Sequence, residues 1–553
     1  MTSAVPFLGQ MYGVGVGLSF DLPLVTSLTP NNSLGSGTPT FTRATTASVT
    51  DFEGLIKTAP SGCARFTGAR FVRNLVATKS EDWSNAAWTK SNMTATATTL
   101  EASAANGTCL QTYTGVGNFR LRVQMSRVTG TGNVDLTVDG GSTWTTVTLT
   151  GSDQVFSIIQ NTVTNPQFGI RVVTSGDKIN ATKIQLEDVT GQANTNPSEY
   201  LSVGVLSAPY HGANVDGVKY FATENGNTVA SNVVTEATGA AIAAATLKKY
   251  LPEGARTNRC LQSQTFDNAT WVKSNITVAA NEAVAPDGTT TADTLTASAA
   301  NGTVIQDLGV VASAAKAGGL WIKRKTGTGN IDLTLDGGST WTTKAITAAW
   351  TRVQIAQTLA DEDFGIRIVT SADAVWVWQG QVETAAFLSS DIPTTTAAVV
   401  RNADVLTYAF AGNANSSEGT CYAEVTFPFA KNYSMFVATN TAQATGAMLY
   451  SNSGGNLLLV DSAAQITATG ITMVAGDTVQ KIASAWSGTS TPNFARNGTV
   501  GAGNAAFSGD IGSTVLTIGT RSAANDESTF GNVGNVKIYN RALSDARLQA
   551  MTS

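Results

Sequence analysis

Trp376 and Trp378, in the string VWVWQGQVE, are two indoles separated by a single valine. Alternate residues of a strand point to the same side, so the pair shares one face. On an exposed face two such rings form a stacking surface for sugars, and both are candidate carbohydrate-binding residues. A packed core is the opposing reading, because Gly380 and Val382 continue the same parity and match Ile184 and Leu186, which read as interior. Other chemistry is sparse. His211, in PYHGANVDG, is the only histidine. Without a neighbouring Ser, Cys or acid motif it supports neither a triad nor a zinc site. Acids are scattered, and there is no nucleophile elbow, P-loop or dinucleotide motif. No catalytic residue and no metal ligand is therefore assigned, and the chain is expected not to be an enzyme. Cys63, Cys109, Cys260 and Cys421 lie far apart with no CxxC pair, which reads as isolated thiols.

The strings TVDGGSTW (Thr137 to Trp144) and TLDGGSTW (Thr334 to Trp341) specify turn chemistry. Asp139 and Asp336 are placed to accept backbone N–H bonds, the glycines to supply positive φ, and Trp144 and Trp341 to anchor the hairpins. The pattern resembles the Asp box of sialidases. In that family the box is structural and recurs once per propeller blade. One box in each half of a chain does not build a propeller, so a structural turn is expected at both places.

These motifs come in pairs because a whole module is written twice. SNAAWTKSN, LEASAANGT, GTGNVDLTVDGGSTWTT and FGIRVVTSGD return in order as DNATWVKSN, LTASAANGT, GTGNIDLTLDGGSTWTT and FGIRIVTSAD. Trp88 maps to Trp271, Trp144 to Trp341 and Phe168 to Phe364, with one insertion near NEAVAPDGTTTADT. A unit of this length is a domain rather than a solenoid repeat, and a duplicated binding domain raises effective concentration for a repeated ligand. Trp83, Trp88 and Trp271 open the modules and are expected to close one end of each. Each module is also preceded by a leader ending in Gly-Ala-Arg, at Gly68 to Arg70 and Gly254 to Arg256.

Between the motifs, short alternating runs rich in Thr, Val and Ile are punctuated by Gly, Asn and Asp, as in FRLRVQMSRV, FGIRVVTS and YAEVTF. They predict an all-β chain of several β-sandwich (jelly-roll) domains in tandem, with little helix. Helical patterns are confined to ALSDARLQAM near the end and TEATGAAIAAATLKKYL at 235–251. The expected organisation is an N-terminal particle-anchoring region at 1–73, a first jelly-roll repeat at 74–200, a connector at 201–256, a second repeat at 257–396 and a different sandwich at 397–553. A chain beginning at Asn74 is expected to fold without the first region.

Composition limits the partners. Net charge is −5 and only 13% of residues are charged. No basic block exists to engage nucleic acid. No run of about 18 apolar residues exists to insert in a membrane, and the N-terminus lacks the pattern of an export signal.

Several strings carry a family resemblance. The modules close with Gln185-Leu186-Glu187 and Gln381-Val382-Glu383, followed by NPSEYL and SSDIPTT, and are led by FTRATTASVTDFEGLIKTAPSGCARF and YLPEGARTN. They resemble the carbohydrate-binding jelly-roll modules of structural proteins of tailed bacteriophages. The last domain, with RNADVLTY, AEVTFPF, KIASAWSG, ARNGTV, LTIGTR and VKIYNRALSDARLQ, resembles the concanavalin-like, laminin-G-type sandwich. The resemblance implies a head spike or tail fibre on the virion surface, made in the host cytoplasm and released by lysis. Such a protein attaches to host-surface polysaccharide, meets capsid or tail proteins through its N-terminal region and forms a homo-oligomer. No cofactor is implied. Calcium is frequent in the laminin-G-type family, and here Asp526 and Glu527 are the acids available for it. The alternatives are a capsular polysaccharide depolymerase and a purely structural decoration protein with degenerate lectin folds.

Overall fold

A computed structural model describes residues 17–205, 215–235, 239–429, 434–440, 446–512, 514–521 and 527–553. Their strands form eight sheets, and the one helix among them is Asp545–Thr552. The chain is a set of tandem β-sandwiches, as the alternating runs predict.

The first module packs a five-stranded sheet on a seven-stranded one. In the first, Gln167–Val172 lies between Val134–Thr137 and Gly107–Thr112. In the second, Val116–Thr129 lies between Gln154–Thr164 and Lys178–Asp188. Leu121, Val123 and Met125 from one sheet meet Leu136, Ile170 and Val172 from the other in a single buried cluster. The second module repeats this pairing in the same register. Cys109 faces Ile170 in the first copy, and Val304 faces Ile366 in the second. Phe168 and Phe364 sit on the equivalent strands, both fully buried. The copies differ in continuity. Gly107–Thr112 and Val116–Thr129 are separate strands, whereas their counterpart Gly302–Thr326 is one strand of 25 residues. It therefore links both halves of the second sandwich into one eight-stranded sheet.

Each leader closes the neck of its module. Arg70–Arg73 pairs with Val218–Phe221, and Arg256–Asn258 with Val399–Arg401, which follows the second module. One asparagine per leader does the clamping. Asn74 Nδ2 donates to the carbonyls of Ile184 and Leu201, and its Oδ1 accepts from the N–H of Val76 and Leu186. Asn258 does the same with Gly380, Ile392, Cys260 and Val382. Gln185 and Gln381, of the Gln-x-Glu strings, accept the N–H of Leu201 and Ile392 and so pin the exits to the same places.

Two expectations are corrected here. The N-terminal segment is not set apart: Leu18–Leu22 pairs with Val533–Tyr539, Thr40–Thr42 with Val405–Ala409, and Phe66–Thr67 joins through Lys249–Tyr250. These strands complete the last sandwich, whose core takes Phe20, Leu22, Phe41 and Phe66 beside Trp486 and Ile538. The connector likewise supplies Val233–Thr235 to the first module. The second expected helix, at 235–251, does not form over its described residues 239–251. Glu224 and Ile242 engage that stretch in backbone bonds across to 222–224, and Lys249–Tyr250 is a strand. Pairing to neighbours outweighs the helix propensity of its alanines. The helix expected near the C-terminus is present as Asp545–Thr552.

Candidate functional site

The Asp-box hairpins are two copies of one hydrogen-bonded turn. Asp139 Oδ1 accepts from the Thr143 N–H (2.9 Å) and the Thr137 hydroxyl (2.8 Å), and Gln160 Nε2 donates to Oδ2 (2.8 Å). Asp336 repeats this with Thr340, Thr334 and Gln357. Burial tends to raise both carboxyls, but these donors outweigh it and hold both below the usual range. Gly141 (φ 88°) lies so close to the Trp144 ring that a Cβ would sit 2.6 Å from it. Arg171 and Arg367 cap the indoles of Trp144 and Trp341 at 4.3 and 4.5 Å and pair with Asp135 and Asp332. Every acid here is engaged by donors of its own module.

Trp83, Trp88 and Trp271 are buried at the module ends. Trp83 packs on Trp88 with centroids 4.4 Å apart, and Phe266 takes its place against Trp271 at 4.6 Å. All four cysteines are free and buried, with the thiols of Cys63 and Cys109 pushed up to about 12 by that burial. His211 lies outside the described residues, as does Asp526. Glu527 is paired with Arg521 at 3.2 Å. Among the described residues no three acidic, His or Cys side chains converge in the last sandwich. One such group exists in the second module, Asp307, Asp361 and Asp363. The first module has Thr112, Asn165 and Gln167 at the matching positions.

Gln379 settles where Trp376 and Trp378 point. Its φ of 56° marks a bulge, as does the 52° of Lys183 at the matching place in the first copy. A bulge adds one residue and reverses the parity. Val375 and Val377 face the core before it, and Val382 after it. Trp376 and Trp378 therefore stand on the outer face, although Gly380 and Val382 are interior.

That face differs sharply between the copies. The first carries cross-strand polar pairs, Gln124 with Asp153 at 3.1 Å and Asn180 with Ser126 at 3.2 Å. The matching positions of the second are Trp321, Trp350, Trp376 and Lys323, and Trp378 replaces Thr182. Three of the four indoles pack against the 280–291 insertion, Ile56 and the Asp391 segment, and of these Trp378 is buried while Trp321 and Trp350 stay partly open. Trp350 Nε1 donates to the Val284 carbonyl (3.0 Å), Trp378 Nε1 to the Thr291 hydroxyl (3.1 Å) and Trp321 Nε1 to Asp391 (3.1 Å). With Ile56, Ala285 and Ala292 they make a small outer core, in which Trp378 is 2% exposed. Beside Trp378 opens a cleft of about 360 Å³, lined by Thr45, Ser48, Gln264, Asp287 and Asp391 among others.

Trp376 differs in its contacts. It is half-buried, as Trp321 and Trp350 are, but its Nε1 is enclosed with no hydrogen-bond partner among the described residues, and Lys323 and Lys325 stand over its ring at 5.2 and 5.5 Å. The sequence shows the two tryptophans as a pair, but the structure separates them into a covered ring and a partly open one. The lysines and the cleft lie in other segments and carried no sequence signal of their own. Comparison of the two copies position by position would have shown the gain of Lys323, Lys325 and Trp350.

No protein-family model matches this chain, and no curated protein sequence does. Among solved structures it is similar to the CBM40 of a Ruminococcus gnavus IT-sialidase bound to α2,3-sialyllactose, at 16% identity over 25% of this chain and 84% of that one, with a TM-score of 0.21. It is also similar to a native heptameric SAP-like pentraxin of Limulus polyphemus (13% identity, 25% of this chain and 70% of that one, TM-score 0.20). The N-terminal CBM22-1–CBM22-2 tandem of Paenibacillus barcinonensis Xyn10C matches over 57% of this chain and 98% of its own, at 6% identity and a TM-score of 0.18. At TM-scores of this size neither ligand nor role is transferred. No helix among the described residues is long and apolar enough to cross a membrane.

Proposed function

We propose that this chain is a virion-surface spike or fibre protein that binds host-surface glycans, with the contact made by the outer face of the second module. The observation that carries this reading is Trp376, a half-buried indole on the outer face with Lys323 and Lys325 standing over its ring, whereas Trp321, Trp350 and Trp378 on that face are each bonded to the chain's own segments. A large ring left partly open on a structured strand suits weak stacking against a sugar face. The cleft beside Trp378 adds the hydroxyls of Thr45 and Ser48 and the amide of Gln264, groups that pair with sugar hydroxyls, while its Asp391 is already bonded to Trp321 and Arg352. Trp378 supports the site from within. The first module carries Asn180 and Thr182 in these places, so duplication of the fold does not duplicate the site. Multivalency then comes from copies of the chain in a homo-oligomer mounted on capsid or tail proteins. Trp376→Ala should weaken binding to an immobilised host polysaccharide about fivefold, the equivalent of about 1 kcal/mol for one stacked ring, without lowering the melting temperature. Unchanged binding would remove Trp376 from the site.

A further inference from the structure

The outer face of the second module gained charge together with its ring. Lys323 and Lys325 stand where the first module has Ser126 and Val128, and Trp376 stands where it has Asn180. Lys323 is the direct cross-strand neighbour of Trp376, and Thr294 is its neighbour on the other side. Lys325 is oriented by Glu282 (3.1 Å) and the Thr294 hydroxyl (3.2 Å). Among the described residues Lys323 has no carboxylate partner and no hydrogen bond; its contact there is the indole of Trp376. The patch thus holds two ammonium groups against one carboxylate, in a chain whose net charge is −5.

A neutral sugar gives an unpaired ammonium nothing that water does not. A carboxylate or sulfate on the sugar gives it a charge-assisted bond, which is shorter and stronger than a neutral one. The cation–π contact that is given up in exchange is weak at an exposed site. A negatively charged protein also repels a polyanion at long range, so recognition of one requires a local reversal of sign at the contact. We propose that the ligand of this face is an anionic polysaccharide, in which a sugar ring stacks on Trp376 while Lys323 and Lys325 take the carboxylate or sulfate beside it. This rests on the glycan-binding reading above and adds the chemical class to it.

The test uses the full chain against immobilised polygalacturonate, dextran sulfate, neutral dextran and an oligothymidylate, over a range of salt. Either anionic polysaccharide should bind at least about tenfold more tightly than dextran at low ionic strength, where exposed charges are least screened. Whichever of the two binds better identifies carboxylate or sulfate as the anion. Its affinity should fall with salt, and the slope of log affinity against log salt should drop by about 0.7 for each lysine removed, the value per neutralised charge of a single-stranded polyanion. Lys323→Gln with Lys325→Gln should abolish the preference over dextran, Lys323→Arg should restore it, and Lys178→Gln on the first module should change nothing. If the double variant keeps both preference and slope, the charge assignment is wrong while glycan binding stands. If the unmodified chain binds none of the polysaccharides, the glycan reading itself fails. Tighter binding to the oligothymidylate than to any polysaccharide would assign the face to single-stranded nucleic acid and overturn the proposal.

Discussion

Asp336 is a carboxylate used up by its own turn. Both oxygens are engaged, one by the Thr340 N–H and the Thr334 hydroxyl, the other by Gln357 and the Thr340 hydroxyl. Its folded pKa is depressed, so its contribution is fully present above the unfolded value of about 3.9 and is lost as pH falls below it. Asparagine retains one acceptor and loses the charge. Asp336→Asn should therefore cost about 1 kcal/mol at neutral pH, a modest value because the side chain is partly exposed and screened. The difference from the parent should shrink below about pH 4, where the carboxylate of the unfolded parent chain begins to protonate while the folded one still holds its charge. Paired thermal melts at pH 7 and pH 3.5 measure it, and a gap that widens on acidification would reverse the argument. The turn was legible because all its donors except Gln357 lie within four residues of the acid. Arg367, which caps the Trp341 ring, was not, because it arrives from a separate strand.

At the scale of elements, the duplication was legible and its breaks were not. Repeated strings fix which strands correspond, since equal sequence gives equal pairing register. A single bulge defeats parity counting, because one residue of positive φ turns everything beyond it to the other face. Strict alternation cannot place Trp376 outside and Val382 inside; the bulge at Gln379 does both. The alanine-rich stretch before Lys249 looks helical for a related reason, since local propensity carries no record of the strand it meets. Deleting Gln379 should swing Val382 out of the core and detach the Asn258 clamp from the Val382 N–H. One buried valine is worth about 1.5–3 kcal/mol and each lost bond about 1, so the deletion should cost roughly 3 kcal/mol or more by denaturant unfolding. Gln379→Gly, which adopts the same φ without strain, should cost far less. Equal losses for the two would show that the bulge does not set the register.

At the scale of the molecule, four distant segments meet in one buried ionic cluster. Arg43 and Arg65 come from the N-terminal segment, Glu253 from the connector, and Arg401 and Asp404 from the entry to the last sandwich. Ser390, at the exit of the second module, donates to Glu253. Burial alone would raise the Glu253 carboxyl, but Arg401, Arg65 and Ser390 outweigh it and hold it well below the usual range. A chain beginning at Asn74 loses Arg43 and Arg65 and leaves Glu253 and Asp404 with Arg401 alone. Breaking one buried pair costs about 3–5 kcal/mol. The same truncation removes Phe20, Leu22, Phe41 and Phe66 from the core of the last sandwich, at about 1.5–3 kcal/mol each, and bares the backbone of Val533–Tyr539 where Leu18–Leu22 was paired. Together these losses, about 9–17 kcal/mol, are as large as the 5–15 kcal/mol that hold a typical domain. The truncated chain should therefore keep both repeat modules and lose the last sandwich. Limited proteolysis should show rapid cleavage after 397 with a protected fragment spanning the two modules. The sandwich strands should become exchangeable by hydrogen exchange, while Gly107–Thr112 and its counterpart stay protected. A truncated chain with the last sandwich as protected as in the full protein would show that the N-terminal strands decorate that sandwich without being needed to close it.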